Sequence, residues 1–378
     1  MHRSITTIVF RMDTSDPFPS TRDFSQHFRP TGSALTMRYE ALQKAGAVHW
    51  TAQYRFLERL GAGSQSVVML ADRLGSLDVS LRVALKLLSP LPYPDTDSYL
   101  SEMAQTAQVA MKIAEIQEDH LLDVHNFVES SGIQIMVMEW VDGFDLKYLM
   151  GPERLREAAG ASGRERWAHI NDVVVTAGPT QSRLKPGVAL HVLRQSLAGL
   201  AALHRHNIVH GDIKPSNIML KRTASTKVID YGSAFAISRP RIQPAWTPRY
   251  AAPEVIDSGR FELNSDLASL GYVFLELISG RSPFDVVKTR AELLDVKNSL
   301  HDRVADGLPR DVRRDTGLVE LIRGMIHPDC SERFSGPDDA DLSPNGAAAA
   351  HKRLVLGDLS SEYENDIREW LRFVPAPV

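Results

Sequence analysis

A short polar loop between two apolar segments, at residues 208–220, is the feature that most constrains the fold of this chain. The loop presents Asp212, Lys214 and Asn217, and an apolar strand shortly after it ends in Asp230, followed by an aromatic residue and a glycine. A carboxylate in such a loop can accept a hydroxyl proton, an ammonium can neutralise charge on a phosphoryl group, and carboxylate and amide oxygens can bind a hard cation. The combined pattern predicts a site built around bound phosphates and a divalent cation.

Two weaker signals precede this loop. Gly61 and Gly63 lie in a turn between two predicted strands, where small residues let backbone N–H groups approach phosphate oxygens closely. A dinucleotide-binding fingerprint needs a helix after its glycines, whereas a strand is predicted here, so an ordinary glycine-rich hairpin is the alternative. Lys86 ends an apolar strand, and it either reaches solvent or pairs with an anion such as a phosphate.

The order of the predicted elements indicates an α+β fold. Short strands separated by glycine-containing turns begin at Tyr54, a long helix and another strand follow, and the chain after Gly143 is largely helical. The predicted strands cover residues 54–60, 67–71, 81–86 and 133–140, and the predicted helices cover residues 97–117, 188–205, 265–278 and 360–373. We therefore expect a small antiparallel β lobe with one helix, followed by a larger helical lobe.

Charge and cysteine content narrow the possible function classes. The chain has 43 basic and 47 acidic residues, and its net charge of -4 does not favour a nucleic-acid partner. No apolar segment reaches the roughly 20 residues that a membrane span needs, and we expect no secretion signal. The single cysteine, Cys330, cannot form an internal disulfide, which is typical of a reducing, cytoplasmic location.

In their order and spacing, these motifs resemble those of the eukaryotic-like Ser/Thr protein kinases, from residue 54 to about residue 335. The resemblance implies a two-lobed protein-kinase fold, ATP and Mg²⁺ as cofactors, and proteins as substrates. The compact domain resembles bacterial members of this family. The implied divisions are an N-terminal extension (1–50), a small lobe (54–138), a hinge (139–143), a large lobe (144–335) with an aperiodic insert (151–187), and a C-terminal extension (336–378).

The resemblance also implies roles for individual residues. Asp212 would be the catalytic base, Lys214 the partner of the transferred phosphate, and Asn217 and Asp230 the Mg²⁺ ligands. Lys86 would hold the α- and β-phosphates of ATP. The implied nucleotide-binding residues are Leu60, Gly61, Gly63, Val68, Ala84, Lys86, Glu139 through its carbonyl, Val141 through its N–H, and Met219.

In this family a helix glutamate pairs with the phosphate-binding lysine. Glu102 has close to the expected spacing from Lys86 and is the preferred candidate, and Glu115 is the alternative. Both residues could instead be solvated helix charges.

Residues 247–254 resemble the end of the activation segment, the platform for a substrate peptide that small-molecule kinases of related fold usually lack. Asp266 resembles the buried aspartate that steadies the catalytic loop, and Arg333 resembles the partner of Glu254. Transfer of phosphate to Ser or Thr of a protein is therefore the expected activity. A pseudokinase that binds nucleotide without transfer is the alternative, and a small-molecule phosphotransferase is less favoured.

The sequence departs from the family pattern at three positions. The catalytic loop usually has an arginine before its aspartate, which receives an activation-loop phosphate, and here that position is Gly211. We therefore expect activity that does not require phosphorylation of the activation segment. Ser66 replaces the third loop glycine and Tyr231 replaces the usual phenylalanine, and we expect both changes to be tolerated.

Overall fold

A five-stranded sheet forms the first part of the described structure. The computed structural model describes residues 52–63, 65–239, 246–357 and 363–376, and the predicted N-terminal extension lies outside these ranges. The strand order is β1–β2–β3–β5–β4, and β3 pairs antiparallel with both of its neighbours. The strands are β1 (Gln53–Ala62), β2 (Ser66–Leu74), β3 (Ser80–Leu88), β4 (Val124–Ser130) and β5 (Ile133–Glu139).

Alternation of side chains along β3 gives the sheet two different faces. Val83 and Leu85 are buried on one face, in a small core that also contains Val137. Ala84 belongs to the main core, which includes residues of the helical lobe, and Lys86 lies on the same face as Ala84. The sheet therefore presents Lys86 toward the helical part of the chain.

Helix α1 (Thr96–Ala114) lies between β3 and β4 in the chain. The Asp95 carboxylate accepts a hydrogen bond from Ser98 N at 2.7 Å and so caps the first turn. The buried Tyr99 side chain donates its hydroxyl to Leu88 O at 3.1 Å, which ties the helix to β3. The predicted small lobe with one helix is confirmed.

The chain after β5 is mainly helical, as predicted. Its helices are α2 (Leu146–Met150), α3 (Pro152–Ala161), α4 (Arg164–Val173), α5 (Pro186–Arg205), α6 (Pro253–Ser258), α7 (Ser265–Ser279), α8 (Arg290–Arg303), α9 (Arg310–Arg313), α10 (Thr316–Ile326), α11 (Pro337–Leu342), α12 (Ala347–Gly357) and α13 (Tyr363–Arg372). Every residue of α7 is buried, which its nearly uninterrupted apolar sequence favours. The α+β architecture expected from the sequence is confirmed.

Short strands connect these helices and carry the polar loops. Strands β6 (Gly143–Asp145), β10 (Ile218–Lys221) and β11 (Thr226–Val228) form a three-stranded sheet. Strand β9 (Ile208–Val209) pairs with β12 (Phe235–Ala236), and β7 (Val175–Ala177) pairs with β8 (Ser182–Leu184). The loop between β9 and β10 and the loop between β11 and β12 therefore lie beside each other.

The insert at residues 151–187 contains more regular structure than its sequence indicates. Helices α3 and α4 occupy most of it, although no sustained periodicity is visible there. Each of these helices buries a single residue completely, Ala158 in α3 and Ile170 in α4. A helix that buries so little has no apolar stripe, and the sequence pattern therefore does not reveal it.

The C-terminal helix α13 packs against the insert and the large lobe. Ile367, Trp370 and Leu371 are buried on one face of α13, which agrees with the amphipathic helix predicted at residues 360–373. Arg166 pairs with Glu369, and His169 Nε2 lies 2.9 Å from Asp366 Oδ1; both ion pairs join α4 to α13. Among the described residues, no helix combines the length and apolar character that a membrane span requires.

Candidate active site

Asp212 lies at the centre of a hydrogen-bonded cluster in the loop after β9. Lys214 Nζ donates to Asp212 Oδ2 at 2.5 Å. Thr247 donates to Asp212 Oδ1 through its backbone N–H at 3.0 Å and through its hydroxyl at 2.7 Å. Asn217 Nδ2 donates to the backbone carbonyl of Asp212 at 2.8 Å. The carboxylate is thus oriented on both sides, with an ammonium in direct contact.

The same loop is held by Asp266, a fully buried residue on α7. Asp266 accepts hydrogen bonds from His210 N and Gly211 N, both at 2.9 Å, and its Oδ2 lies 3.0 Å from His204 Nε2. Burial opposes ionisation of this carboxyl, but the contact with His204 and the neighbouring donors outweigh it and lower the pKa of Asp266. Asp266 therefore stays charged and fixes the loop backbone, as its resemblance implied.

Lys86 on β3 forms an ion pair with Asp230, in the loop between β11 and β12. Burial opposes ionisation of Asp230, but the Lys86 ammonium outweighs it and holds the pKa of Asp230 well below its usual range. Asp230 has a φ of 67°, in the left-handed region that is uncommon for residues with a side chain. In this backbone conformation the Asp230 carboxylate contacts Lys86.

Gly232 leaves room for this ion pair. A Cβ atom at this position would lie 2.8 Å from Lys86 Nζ and 3.0 Å from Asp230 Oδ1. The Gly232 N–H also donates to Asp230 Oδ1 at 2.9 Å. A side chain at position 232 would therefore displace the ends of Lys86 and Asp230, a constraint that the sequence position alone does not reveal.

The residues implied as Mg²⁺ ligands offer suitable oxygen donors. Ile229 N donates to the backbone carbonyl of Asn217 at 2.9 Å, which joins the loop of Asn217 to the strand end that carries Asp230. Because Asn217 Nδ2 donates to Asp212, the amide oxygen of Asn217 is the side-chain atom left for a cation. A carboxylate and an amide oxygen fit Mg²⁺, whose other positions phosphate oxygens and waters usually fill.

The glycine-rich turn between β1 and β2 is open to an approaching ligand. Gly63 N donates to Ser66 O at 2.9 Å and closes the turn. A Cβ atom added at Gly61 or Gly63 would meet no atom within 4 Å, and neither residue has a left-handed backbone. Neither packing nor backbone conformation within the described chain requires these glycines, whereas close approach of a phosphate would.

Apolar residues expected to bind the nucleotide come from both lobes. Val68 lies opposite Lys86 in the pairing of β2 with β3, and Val68 packs against the same core as Ala84. Met219 on β10 packs against this core from the other lobe. Leu60, on the edge strand β1, is 46% exposed. Ala84 is thus part of the main core, Val68 and Met219 pack against it, and Leu60 lies at the open edge of the sheet.

The hinge begins at Glu139, the last residue of β5. The Glu139 carboxylate accepts hydrogen bonds from Lys227 Nζ and from Asp123 N, the latter at 2.8 Å. Lys227 Nζ also donates to Leu121 O at 2.8 Å. These contacts engage the side chain of Glu139, and Val141 is buried two residues later.

The acidic partner of Lys86 in this structure is Asp230. Glu102 is half-buried on α1, and its backbone carbonyl accepts a hydrogen bond from Thr106 Oγ1 at 3.1 Å. Glu115 is exposed and forms the C-cap of α1. The choice of Glu102 as the helix partner of Lys86 stays a prediction.

Residues 247–254 are anchored to the large lobe by buried polar contacts. Glu254 binds Arg333 through two parallel hydrogen bonds of 2.8 and 2.7 Å, and Ser265 Oγ donates to Glu254 Oε1 at 2.7 Å. The Tyr250 hydroxyl donates to Glu276 Oε2 at 2.8 Å. We call residues 247–251 the platform turn, in which Tyr250 N and Ala251 N both donate to Thr247 O.

Comparison with known proteins identifies the family. Residues 54–342 match the family described as the protein kinase domain. The chain belongs to the protein kinase domain family. This kinase domain is 27% identical over 315 residues to the serine/threonine-protein kinase pkn2 of Myxococcus xanthus, an alignment that covers 80% of this chain and 33% of that protein.

Two further relatives carry similar names. The serine/threonine-protein kinase PrkC of Bacillus subtilis is 28% identical over 239 residues, which cover 62% of this chain and 32% of PrkC. The serine/threonine-protein kinase PknD of Mycobacterium tuberculosis is 27% identical over 314 residues, which cover 81% of this chain and 40% of PknD. The matched part of the chain thus spans about a third of pkn2 and PrkC.

Within this kinase domain, the structure shows two contacts near the candidate site that the sequence did not predict. The Thr247 hydroxyl contacts Asp212, and Lys227 pairs with the hinge residue Glu139. The signal for Lys227 was its position three residues before Asp230, directly ahead of two apolar residues. Thr247 lies in the segment that resembles the end of the activation segment, but its contact with Asp212 depends on how the platform turn folds back onto the loop after β9.

Proposed function

We propose that this chain is a Ser/Thr protein kinase that transfers the γ-phosphate of ATP to hydroxyl groups of protein substrates. The observation that carries the proposal is the cluster around Asp212, whose carboxylate contacts Lys214 Nζ at 2.5 Å and Thr247 Oγ1 at 2.7 Å. The names of the relatives support Ser/Thr specificity. A cytoplasmic location, favoured by the single cysteine, is part of the proposal.

In the proposed reaction, the substrate hydroxyl oxygen forms a bond to the γ-phosphorus while the bond to the β–γ bridging oxygen breaks and ADP leaves. Asp212 accepts the hydroxyl proton, and Lys214 neutralises charge on the transferring group. Lys86 holds the α- and β-phosphates, and the open turn of Gly61 and Gly63 covers them.

Mg²⁺ would be held by Asp230 and the amide oxygen of Asn217, where it would neutralise charge on the phosphate oxygens. Adenine would lie between Val68, Ala84 and Met219, with Leu60 at the rim, and would bind the Glu139 carbonyl and the Val141 N–H. Most of the rate enhancement would come from positioning and charge neutralisation.

The proposal includes activity without phosphorylation of the activation segment. Gly211 has a φ of 78°, and a Cβ atom there would lie 3.1 Å from the Ser233 carbonyl oxygen, 3.6 Å from the Phe235 ring and 3.8 Å from the Phe261 ring. These two rings pack edge to face with their centroids 5.4 Å apart. Two aromatic rings and a carbonyl oxygen stabilise a phosphate poorly, whereas the β9–β12 pairing and the aromatic contact hold the segment without charge.

The test is transfer of label from γ-labelled ATP with Mg²⁺ to the protein itself and to dephosphorylated casein. Wild type is compared with Asp212→Asn and Lys86→Met, and all three proteins are checked for folding by circular dichroism. We expect transfer by wild type and a loss of at least about 100-fold in both variants. Saturable ATP binding by a folded wild type that transfers no phosphate would favour the pseudokinase alternative.

Independence from phosphorylation has its own test. Phosphatase-treated wild type should transfer phosphate at the same rate as untreated protein. Strong activation on phosphorylation of Ser233 or Ser238 would contradict this part of the proposal without affecting the assignment of the reaction.

A further inference from the structure

Lys297, on α8, is a completely buried lysine that the proposed reaction does not use. Its relative exposure is 0%. Its Nζ atom lies 3.6 Å from the centroid of the Tyr272 ring and 4.0 Å from that of the Phe284 ring, so two aromatic faces surround the ammonium. The Nζ atom also donates a hydrogen bond to Arg249 O at 2.9 Å.

The acceptor of this hydrogen bond belongs to the platform turn. Arg249 lies between Thr247, which contacts Asp212, and Tyr250, whose hydroxyl contacts Glu276. The Arg249 side chain forms an ion pair with Asp285 on the surface. Lys297 thus holds the main chain of the turn at Arg249 from the interior, and the backbone N–H of Thr247 holds it at Asp212.

Burial of Lys297 is unfavourable for the fold by itself. Burial and the nearby Arg333 lower the pKa of Lys297 well below its ordinary value, and Glu254 offsets this only in part. Within the described part of the chain, the ion pairs do not include a carboxylate within 4.0 Å of Lys297. A methionine would fill a similar volume and make similar contacts with both rings, but it could not bind the Arg249 carbonyl.

We propose that Lys297 is a positioning residue of the substrate platform. By holding the Arg249 carbonyl, it sets the position of the platform turn and thereby the surface on which a substrate polypeptide lies beside Asp212. This inference rests on the proposed kinase function. Lys297 aligns the substrate, whereas a neutral apolar residue at this position would stabilise the fold equally well or better.

The direct test compares wild type with Lys297→Met and with the matched control Lys288→Met. Lys288 is exposed and lies just before α8, so the control makes the same chemical change without removing a buried contact. For each protein we would measure the melting temperature, amide hydrogen exchange of residues 246–252, and the KM values for casein and for ATP.

In Lys297→Met we expect an unchanged or higher melting temperature together with faster exchange in the platform turn. We expect the KM for casein to rise about 10-fold, the effect of losing one hydrogen bond to a buried carbonyl, while the KM for ATP changes less than about 2-fold. Lys288→Met should resemble wild type in all four measurements. Lys297→Gln, which keeps an N–H donor without the charge, should lie between Lys297→Met and wild type in the KM for casein.

Two results would overturn the inference. One is unchanged exchange and unchanged casein KM in Lys297→Met. The other is a lower melting temperature with casein and ATP KM values that rise together, which would show that Lys297 stabilises the fold and does not position the substrate. The exchange experiment needs no catalysis, so failure of wild type to transfer phosphate would refute the proposed function while exchange still decides the role of Lys297.

Discussion

The Thr247 hydroxyl donates to Asp212 Oδ1 at 2.7 Å and accepts a hydrogen bond from Lys214 Nζ at 3.1 Å. One side chain of the platform turn thereby contacts both charged groups of the catalytic loop. The position of the platform turn and the orientation of the Asp212 carboxylate therefore depend on each other.

This contact predicts different effects for two conservative changes of Thr247. Thr247→Val keeps the volume but removes the hydroxyl, and we expect kcat to fall by about 10- to 100-fold because Asp212 Oδ1 loses a donor. Thr247→Ser keeps the hydroxyl and should retain most of the activity. Steady-state kinetics with casein would test this, and a Val variant with wild-type kcat would show that the contact has no catalytic role.

The close approach of Gly232 to Lys86 predicts weaker nucleotide binding in Gly232→Ala. The added Cβ would lie 2.8 Å from Lys86 Nζ and would force the ion pair with Asp230 to shift. We expect the affinity for Mg²⁺–ATP, measured by isothermal titration calorimetry, to fall about 10-fold, the effect of losing one charge-assisted contact. Gly160→Ala is the control, because a Cβ in this α3 position would meet no atom within 4 Å. Equal ATP affinity in both variants would contradict the steric argument.

Tyr231 carries a hydroxyl where the family usually has none, and the structure gives this hydroxyl a partner. It donates to Leu122 O at 3.0 Å in a buried position. In Tyr231→Phe the Leu122 carbonyl loses this donor, so we expect the free energy of unfolding to fall by about 1 kcal/mol. The transfer rate should stay within about 2-fold of wild type, because the ring itself is retained. Urea denaturation would measure the free energy of unfolding, and an unchanged midpoint would show that the hydrogen bond does not contribute to stability.

The Glu254–Arg333 pair predicts a pH-dependent contribution to stability. Burial opposes ionisation of Glu254, but the hydrogen bonds and charge of Arg333 outweigh it and lower the pKa of Glu254 below the ordinary value of 4.5. A carboxyl with a lowered pKa stabilises the fold fully above its unfolded-state pKa, and this contribution is lost as the pH falls through the folded-state value.

Glu254→Gln should therefore be clearly less stable than wild type at pH 7. The difference in unfolding free energy between the two proteins should shrink as the pH falls below about 4.5. Urea denaturation at several pH values would measure this difference in unfolding free energy. Glu320→Gln is the control, because Glu320 forms an exposed ion pair with Arg323. A difference that stays constant with pH would rule out ionised Glu254 as its source.

Much of the candidate site is local in sequence, which is why it could be predicted. Asp212, Lys214 and Asn217 lie within one loop whose apolar flanks form β9 and β10, so the backbone alone holds them together. The two long helices α5 and α7 were also predictable, because each buries a broad apolar surface. Helices α3 and α4 were not predictable, because each buries a single residue and its sequence therefore shows no periodic apolar pattern.

The sequence by itself determined the fold class, the order of the elements and the chemical groups of the site, because these follow from local patterns of apolar and polar residues. Only the tertiary structure decided their partners. Lys86 is paired with Asp230, 144 residues away, and Lys297 is enclosed by Tyr272 and Phe284 beneath the platform turn. A charged side chain in the sequence has no fixed burial or partner, since both depend on which distant elements pack against it.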